Sequence, residues 1–338
     1  LELISVVADN HHRNPNFFTK IETVLLQFKD VIKEKFTNYE IFQKFRNNKR
    51  VLLILFKHEI LTADEYIAEK LLNDKGQKSD CQLYFYPELQ DFISTKEKTY
   101  IEYHYQKLTE NGTNLFELER RVGENDDPIC QFIQSDEVNQ FISHVKNHKI
   151  SLNTTIPHSI FETNPFLLGK TPTLIEYSAF YGSIQIINYM LLNKVKLTPS
   201  VWMYAIHSNN LQLIQLLEQR RIKPEDETYI SCLKESIKCH HLELTNYILT
   251  KLMKTQSIED YKVRAKAIKY VNYEYFPNDL TNPFYFYKLC QNNYITLVDF
   301  LLRYKDIDTS YHVILNKLFI NKISNENFFF IKFQFNLF

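Results

Sequence analysis

The stretch Thr173–Leu192, TLIEYSAFYGSIQIINYMLL, decides how the rest of the chain is read. It carries one of only five glycines, with apolar residues at three- and four-residue steps on both sides. Such a glycine either shapes a loop that holds a reactive group or closes a turn between two packed helices. The first option points to an enzyme, the second to a binding scaffold. Working outward, Gly182 aligns with Asn209, His240 and Asn293. Seven residues before these turns stand Ile175, Trp202, Leu233 and Phe286. Two after come Ile184, Leu211, Leu242 and Ile295; four after, Ile186, Leu213, Leu244 and Leu297; seven after, Tyr189, Leu216, Tyr247 and Phe300. The slot four before the turn is small in Ser178, Ala205 and Ser236 and fails only at Leu289, while Pro172, Pro199 and Pro283 recur ten before it.

A short helix, a turn and a second helix cannot bury their own apolar face, so neighbouring pairs must stack to do it. The turn residue needs positive φ, which Gly takes freely and Asn or His tolerates better than most. A small residue on the first helix lets the two helices approach. Gly182 therefore reads as a helix–helix turn.

These residues resemble the ankyrin repeat, whose core is T-P-L-H-x-A-A-x-x-G-H-x-x-x-V-x-x-L-L. Ser178-Ala179-Phe180-Tyr181-Gly182-Ser183 stands at A-A-x-x-G-H, and Ile186, Ile187, Tyr189 and Met190 fill the apolar slots after it. Closer still is the likeness to a divergent ankyrin family of uncharacterised proteins, a domain of unknown function expanded in protozoan parasites. SIFETNPFLLGKTPTLIEYSAFYGSIQIINYM, SVWMYAIHSNN and ESIKCHHLELTNYI look typical of it, strongly over 158–250 and weakly over most of the rest. In that family a helical segment precedes the array, and YFYPELQDFI (Tyr84–Ile93) resembles part of it. The resemblance implies a fold and a binding role, and brings no catalytic residues. The T-P-L-H signature is degraded: its Pro slot holds Leu174, Val201, Cys232 and Tyr285, and its His slot Glu176, Met203, Lys234 and Tyr287. Successive turns are 27 and then 31 residues apart, shorter than the usual ~33, which implies abbreviated β-hairpin fingers.

The 53 positions between His240 and Asn293 have room for a cryptic unit at Asp260–Phe276, and PICQFIQSDEVNQFISHV fits upstream as a capping unit with a one-residue slip. The expected fold is all-α: an N-terminal helical domain over 1–122, then an ankyrin-like helix-turn-helix solenoid over 123–320. Its units lie near 128–150, 170–196, 197–223, 228–254, 258–278 and 281–306. An irregular tail, 321–338, has an alternation that reads as a strand or a truncated end. In the first third, Phe17, Phe18, Ile21, Val24, Leu25, Phe28, Val31 and Ile32 map to one helix face. Thr62-Ala-Asp-Glu65 has the form of a capping box, and Pro87 suits a helix's first turn.

Composition narrows function by exclusion. Forty basic residues balance forty acidic ones, which removes the overall positive charge of a general nucleic-acid binder. Neither glycine-rich phosphate motif is present. Cys81, Cys130, Cys232, Cys239 and Cys290 are widely spread without C-x-x-C, which reads as reduced thiols of an intracellular, cytoplasmic protein. The longest apolar run, Val51–Phe56, is far too short to span a bilayer. No secretory leader is recognisable, so the sequons at Asn111 and Asn153 read as chance, and the leading Leu1 reads as a fragment's start.

Candidates for chemistry give way to plainer readings. Cys232, Cys239, His240 and His241 are zinc-ligand types, but the last three are adjacent at a turn and should diverge. His144 and His148 share a helix face without a third ligand in sequence, His11-His12 has no assigned role, and Asp126-Asp127 and Glu225-Asp226 sit in solvated turns. Trp202 shares a register slot with Ile175 and reads as core. The expectation is a non-enzymatic scaffold that binds a protein through loop tips and the first-helix face, using Tyr181, Lys194, Lys196, Arg220, Arg221 and Lys223. No cofactor, metal, nucleic acid or membrane is expected. Two competing readings are an enzyme with its chemistry in the N-terminal helices, and a structural piece of a longer ankyrin protein.

Overall fold

The computed structural model describes residues 1–10, 16–73, 78–254 and 261–305. Among them the protein is all-helical, with a single isolated β-bridge, Thr155 to Thr173. The tail 321–338, with its strand-like alternation, and His11-His12 lie outside the described residues. The chain divides into two compact units, Leu1–Lys254 and Thr255–Phe338.

The first unit opens with α1 (Glu2–Ala8), α2 (Phe17–Gln27), α3 (Lys29–Lys35), α4 (Asn38–Phe45) and α5 (Lys49–Lys57). It continues with α6 (Glu65–Leu72), α7 (Lys78–Tyr84), α8 (Tyr86–Leu89), α9 (Thr95–Leu108) and α10 (Thr113–Val122). The apolar run Val51–Phe56 forms α5, which is buried along that run and packs on α2, α4 and α10. A helix hydrophobic all round belongs inside a core.

Two local expectations are corrected. The pattern from Phe17 to Ile32 is not one face of one helix. The helix breaks at Phe28, whose φ of −105° and ψ of 11° end α2. Phe17, Phe18, Ile21, Leu25 and Ile32 are buried, while Val24, Phe28 and Val31 face solvent. Nor does Thr62 head a capping box. Asn38 holds the Thr62 backbone by accepting from its N–H (3.1 Å) and donating to its carbonyl (2.7 Å), so α6 starts later, with Asp64 accepting from the Ile67 N–H. Complete capping boxes occur instead at Thr37/Glu40 and Thr173/Glu176. Pro87 does lie in the first turn of α8.

Four helix pairs complete the first unit. They are α11 (Pro128–Gln134) with α12 (Val138–Asn147), α13 (Leu174–Tyr181) with α14 (Ile184–Leu192), α15 (Val201–Ser208) with α16 (Leu211–Gln219), and α17 (Ile230–Lys238) with α18 (Leu242–Tyr247). First helices pack in series, α11 on α13, α13 on α15 and α15 on α17, and α12 packs on α14. In the second unit α19 (Tyr261–Lys269) precedes a 3₁₀ turn, and α20 (Pro283–Gln291) pairs with α21 (Ile295–Tyr304) over Ile268, Phe286, Leu289, Val298 and Leu301.

One backbone device closes these helices. Gly182, Asn209, His240 and Asn293 take φ of 72°, 52°, 58° and 60°, and Asp136 and Val271 do the same at the ends of α11 and α19. After five of these turns the next N–H reaches back five residues: Ser183 to the Ser178 carbonyl, His241 to Ser236, Tyr294 to Leu289, Glu137 to Phe132 and Asn272 to Ala267; after Asn209 the Asn210 N–H bonds the Ser208 hydroxyl instead. This is the Schellman closure, which satisfies carbonyls that a helix end leaves open. The small slot contributes directly, since Ser178, Ala205 and Ser236 are wholly buried.

The slots of the second helix differ from expectation. Positions four after the turn are buried or half-buried, but Leu242 and Ile295 at two after, and Phe300 at seven after, are exposed. The buried stripe runs through positions five and eight after: Ile187 and Met190, Ile214 and Leu217, Thr245 and Ile248, Val298 and Leu301. Only one side of a second helix meets its neighbours, so its outer apolar residues stay in water.

A paired substitution tests the turn. A Cβ on Gly182 would lie 3.2 Å from Asn210 and Ser208 side-chain atoms, and left-handed backbone disfavours any β-carbon. Gly182→Ala should therefore lose about 1–2 kcal/mol, whereas Asn209→Gly should be neutral or gain a few tenths. Urea unfolding distinguishes them; equal losses would contradict the turn geometry.

Candidate functional site

Lys194, Lys196, Arg220, Arg221 and Lys223 are all exposed, and Tyr181 is half-buried with its ring against Tyr177 and Phe180. Lys194 and Arg221 hold the same place in successive pairs, with φ of 64° and 56° just past α14 and α16. The following N–H groups, of Val195 and Ile222, bond back to the Met190 and Leu217 carbonyls. This closure throws the neighbouring basic side chains outward. None of the five cations has an ion pair among the described residues.

Part of the first-helix face is covered by the chain itself. The Phe166 ring lies against Phe180 (5.9 Å), Tyr204 (5.1 Å) and His207 (4.0 Å). Lys170 Nζ stands 3.3 Å from the Phe166 ring centre, a cation–π contact. This segment is tied down at its start, where Thr163 donates to the Gly123 carbonyl and Phe161 packs on Phe116.

The nominated zinc-type residues do not gather. Cys239 instead joins His207 and Glu235, the one set among the described residues whose three ligand-type atoms all lie within 4.8 Å of one another. His207 Nε2 is 2.9 Å from Glu235, and its Nδ1 faces Cys239 Sγ at 3.6 Å. Lys238 Nζ donates to the same Glu235 oxygen at 2.8 Å. Burial holds the His207 imidazole below its ordinary value, against the pull of Glu235. Burial also pushes Glu235 up, but the His207 hydrogen bond and the Lys238 charge outweigh it and hold the carboxylate ionised. Burial and the nearby Glu235 charge raise the Cys239 thiol, so it stays protonated.

A metal would have to take an imidazole nitrogen from Glu235 or Cys239 and deprotonate that thiol. What the geometry does is fasten α15 to α17. Nothing local in the sequence announces it, since the partners lie 28 and 32 residues apart. The only available signal is repeat register.

The remaining polar candidates have local duties. His148 Nδ1 bonds the His144 carbonyl. Asp127 caps α11 through the Ile129 N–H, Asp126 accepts from Ser159, and Asp226 accepts from the Tyr229 and Ser231 N–H groups. All five cysteines are free thiols, four of them buried.

The sequence did not single out a cavity of about 390 Å³ among α2, α5, α8 and α10, lined by Phe18, Arg50, Lys57, Glu88, Arg120 and Arg121 among others. Among the described residues no helix is long and apolar enough to cross a membrane. No family model, curated protein or solved structure matches the chain.

Proposed function

We propose that this chain is a non-catalytic, protein-binding scaffold whose helix pairs form an ankyrin-like solenoid, with an acidic protein surface as partner. The observation that carries the reading is the repeated Schellman closure, which leaves Lys194 and Lys196 on one pair and Arg220, Arg221 and Lys223 on the next exposed and without ion pairs. Stacked pairs give an extended surface that short local motifs cannot. Basic tips on it steer acidic partners and fix register more than they add raw affinity. Because Phe166 and Lys170 lie over α13 and α15, the tips carry more of this role than the first-helix face.

The enzyme reading has one feature in its favour, the charged cavity in the N-terminal helices. Its carboxylates are already engaged, Glu22 with His58 and Glu88 with Arg120, which favours binding over proton transfer.

The test is capture from native lysate by wild type and by the Arg220/Arg221/Lys223→Glu variant, with circular dichroism to show that both are folded. A partner held by wild type should be lost at least about tenfold by the variant, and its retention should fall with salt. Equal capture would remove the basic tips from the interface.

A further inference from the structure

The cavity among α2, α5, α8 and α10 has a charge arrangement that the fold itself does not require. Its acids are accounted for. Glu22 meets His58 Nε2 at 2.6 Å. Glu88 takes both terminal nitrogens of Arg120, at 2.5 and 3.1 Å, and Glu117 stands 3.7 Å from the same guanidinium. Three lining cations remain, Arg50, Arg121 and Lys57, and none of them has a carboxylate partner among the described residues.

Arg50 is the informative one. Its guanidinium carbon lies 3.9 Å from the centre of the Phe18 ring. Its stem passes Gly123 so closely that a Cβ there would sit 3.1 Å from Arg50 Cδ and 2.7 Å from Thr163 Oγ1. A side chain so placed is held in one orientation before anything binds. It is also poorly hydrated: burial lowers its affinity for the proton, against the weaker pull of Tyr84 and Glu124. Arg120, 1% exposed, adds an Nε with no hydrogen-bond partner. A partly desolvated cation with no carboxylate in ion-pair contact costs stability, and such a cost is often accepted where a site serves function.

The walls complete the argument. Phe18, Leu53, Ile54 and Leu118 supply apolar surface beside the cations. The volume of about 390 Å³ is at the small end of ligand pockets. Three positive charges without an ion pair are better balanced by a dianion than by a carboxylate or a sulfate ester. A phosphate monoester carries close to two negative charges at neutral pH and accepts the paired hydrogen bonds of an arginine fork. We infer that this cavity binds a phosphate monoester carried on a small apolar body, with Arg50 as the main anchor and Arg121 and Lys57 completing the charge. A free small ester and a phosphorylated tyrosine side chain share that chemistry.

The experiment is calorimetric titration of the full chain with phenyl phosphate, inorganic phosphate, benzoate and phenyl sulfate, and with a tyrosine-phosphorylated peptide. Phenyl phosphate should bind more tightly than each of the other three small anions. Arg50→Met should weaken it about 10- to 100-fold, the loss expected for a charge-assisted hydrogen-bond pair, while thermal stability stays level or rises. Arg121→Gln and Lys57→Gln, both at exposed positions, should each weaken it less. The Arg220/Arg221/Lys223→Glu variant should bind unchanged, which separates this site from the array's tips.

A peptide that binds more tightly than phenyl phosphate would make a protein side chain the source; equal affinity would leave the free ester. No binding of phenyl phosphate, benzoate or phenyl sulfate bound as tightly, or unchanged affinity in Arg50→Met would each overturn the inference.

Discussion

Replacing Trp202 by alanine should remove about 3–5 kcal/mol of stability, the range for deleting a buried aromatic. Trp202 is the chain's only tryptophan and its largest fully buried side chain. Two effects add. The indole packs edge-on against Tyr229 at 5.2 Å, and its loss leaves a void between two helix pairs. The ring N–H also donates to the Ile222 carbonyl at 2.8 Å, so the substitution removes that carbonyl's partner beyond the end of α16. Trp202→Phe separates the terms, because it keeps much of the apolar volume and loses the donor. It should lose about 1–2 kcal/mol, near the value of an orphaned buried polar group. Urea unfolding followed by circular dichroism measures both variants. Losses under about 1 kcal/mol for Trp202→Ala would show that the pairs do not pack through this ring.

Removing Glu235 should also be damaging. Glu235→Ala removes the carboxylate that both Lys238 and His207 bond, and losing such a partly buried, charge-assisted contact typically costs about 1.5–3 kcal/mol. The same cluster makes stability fall in acid. His207 is held below its ordinary value of 6.5 in the folded protein, so the unfolded chain takes up that proton first as pH drops. Its contribution is complete above about 6.5 and is lost as pH falls toward the folded value. Glu235 lies below its ordinary 4.5 when folded, so its contribution is present above that value and is lost as pH falls further.

Both effects have the same sign, and each proton contributes at most about 1.4 kcal/mol per pH unit. Urea midpoints measured from pH 7.5 to 4 should decline below pH 6.5 in wild type. The upper part of that decline should flatten in His207→Phe. A wild-type stability independent of pH across this range would show that the imidazole does not stay neutral inside the fold.

The sequence alone determined the all-helical class and the rhythm of the helix pairs. Both are local matters. Apolar spacing at three and four residues writes a helix wherever it occurs, and a residue that tolerates positive φ is needed wherever a helix ends in a Schellman closure. The deep slot of the first helix was legible for the same reason, because Ile175, Trp202, Leu233 and Phe286 repeat at one distance from the turn and are all buried.

Tertiary structure decided the rest. Periodicity alone cannot say which side of a second helix meets a neighbour, and so Leu242, Ile295 and Phe300 face water while Thr245 is buried. The break at Phe28 and the late start of α6 depend on what packs beside them, in the second case the Asn38 side chain. The His207–Glu235–Cys239 cluster joins two pairs, and the Arg50 cavity joins residues from four helices. Such sites exist only once the helices have stacked, since their chemistry depends on burial and on charges brought close from distant parts of the chain.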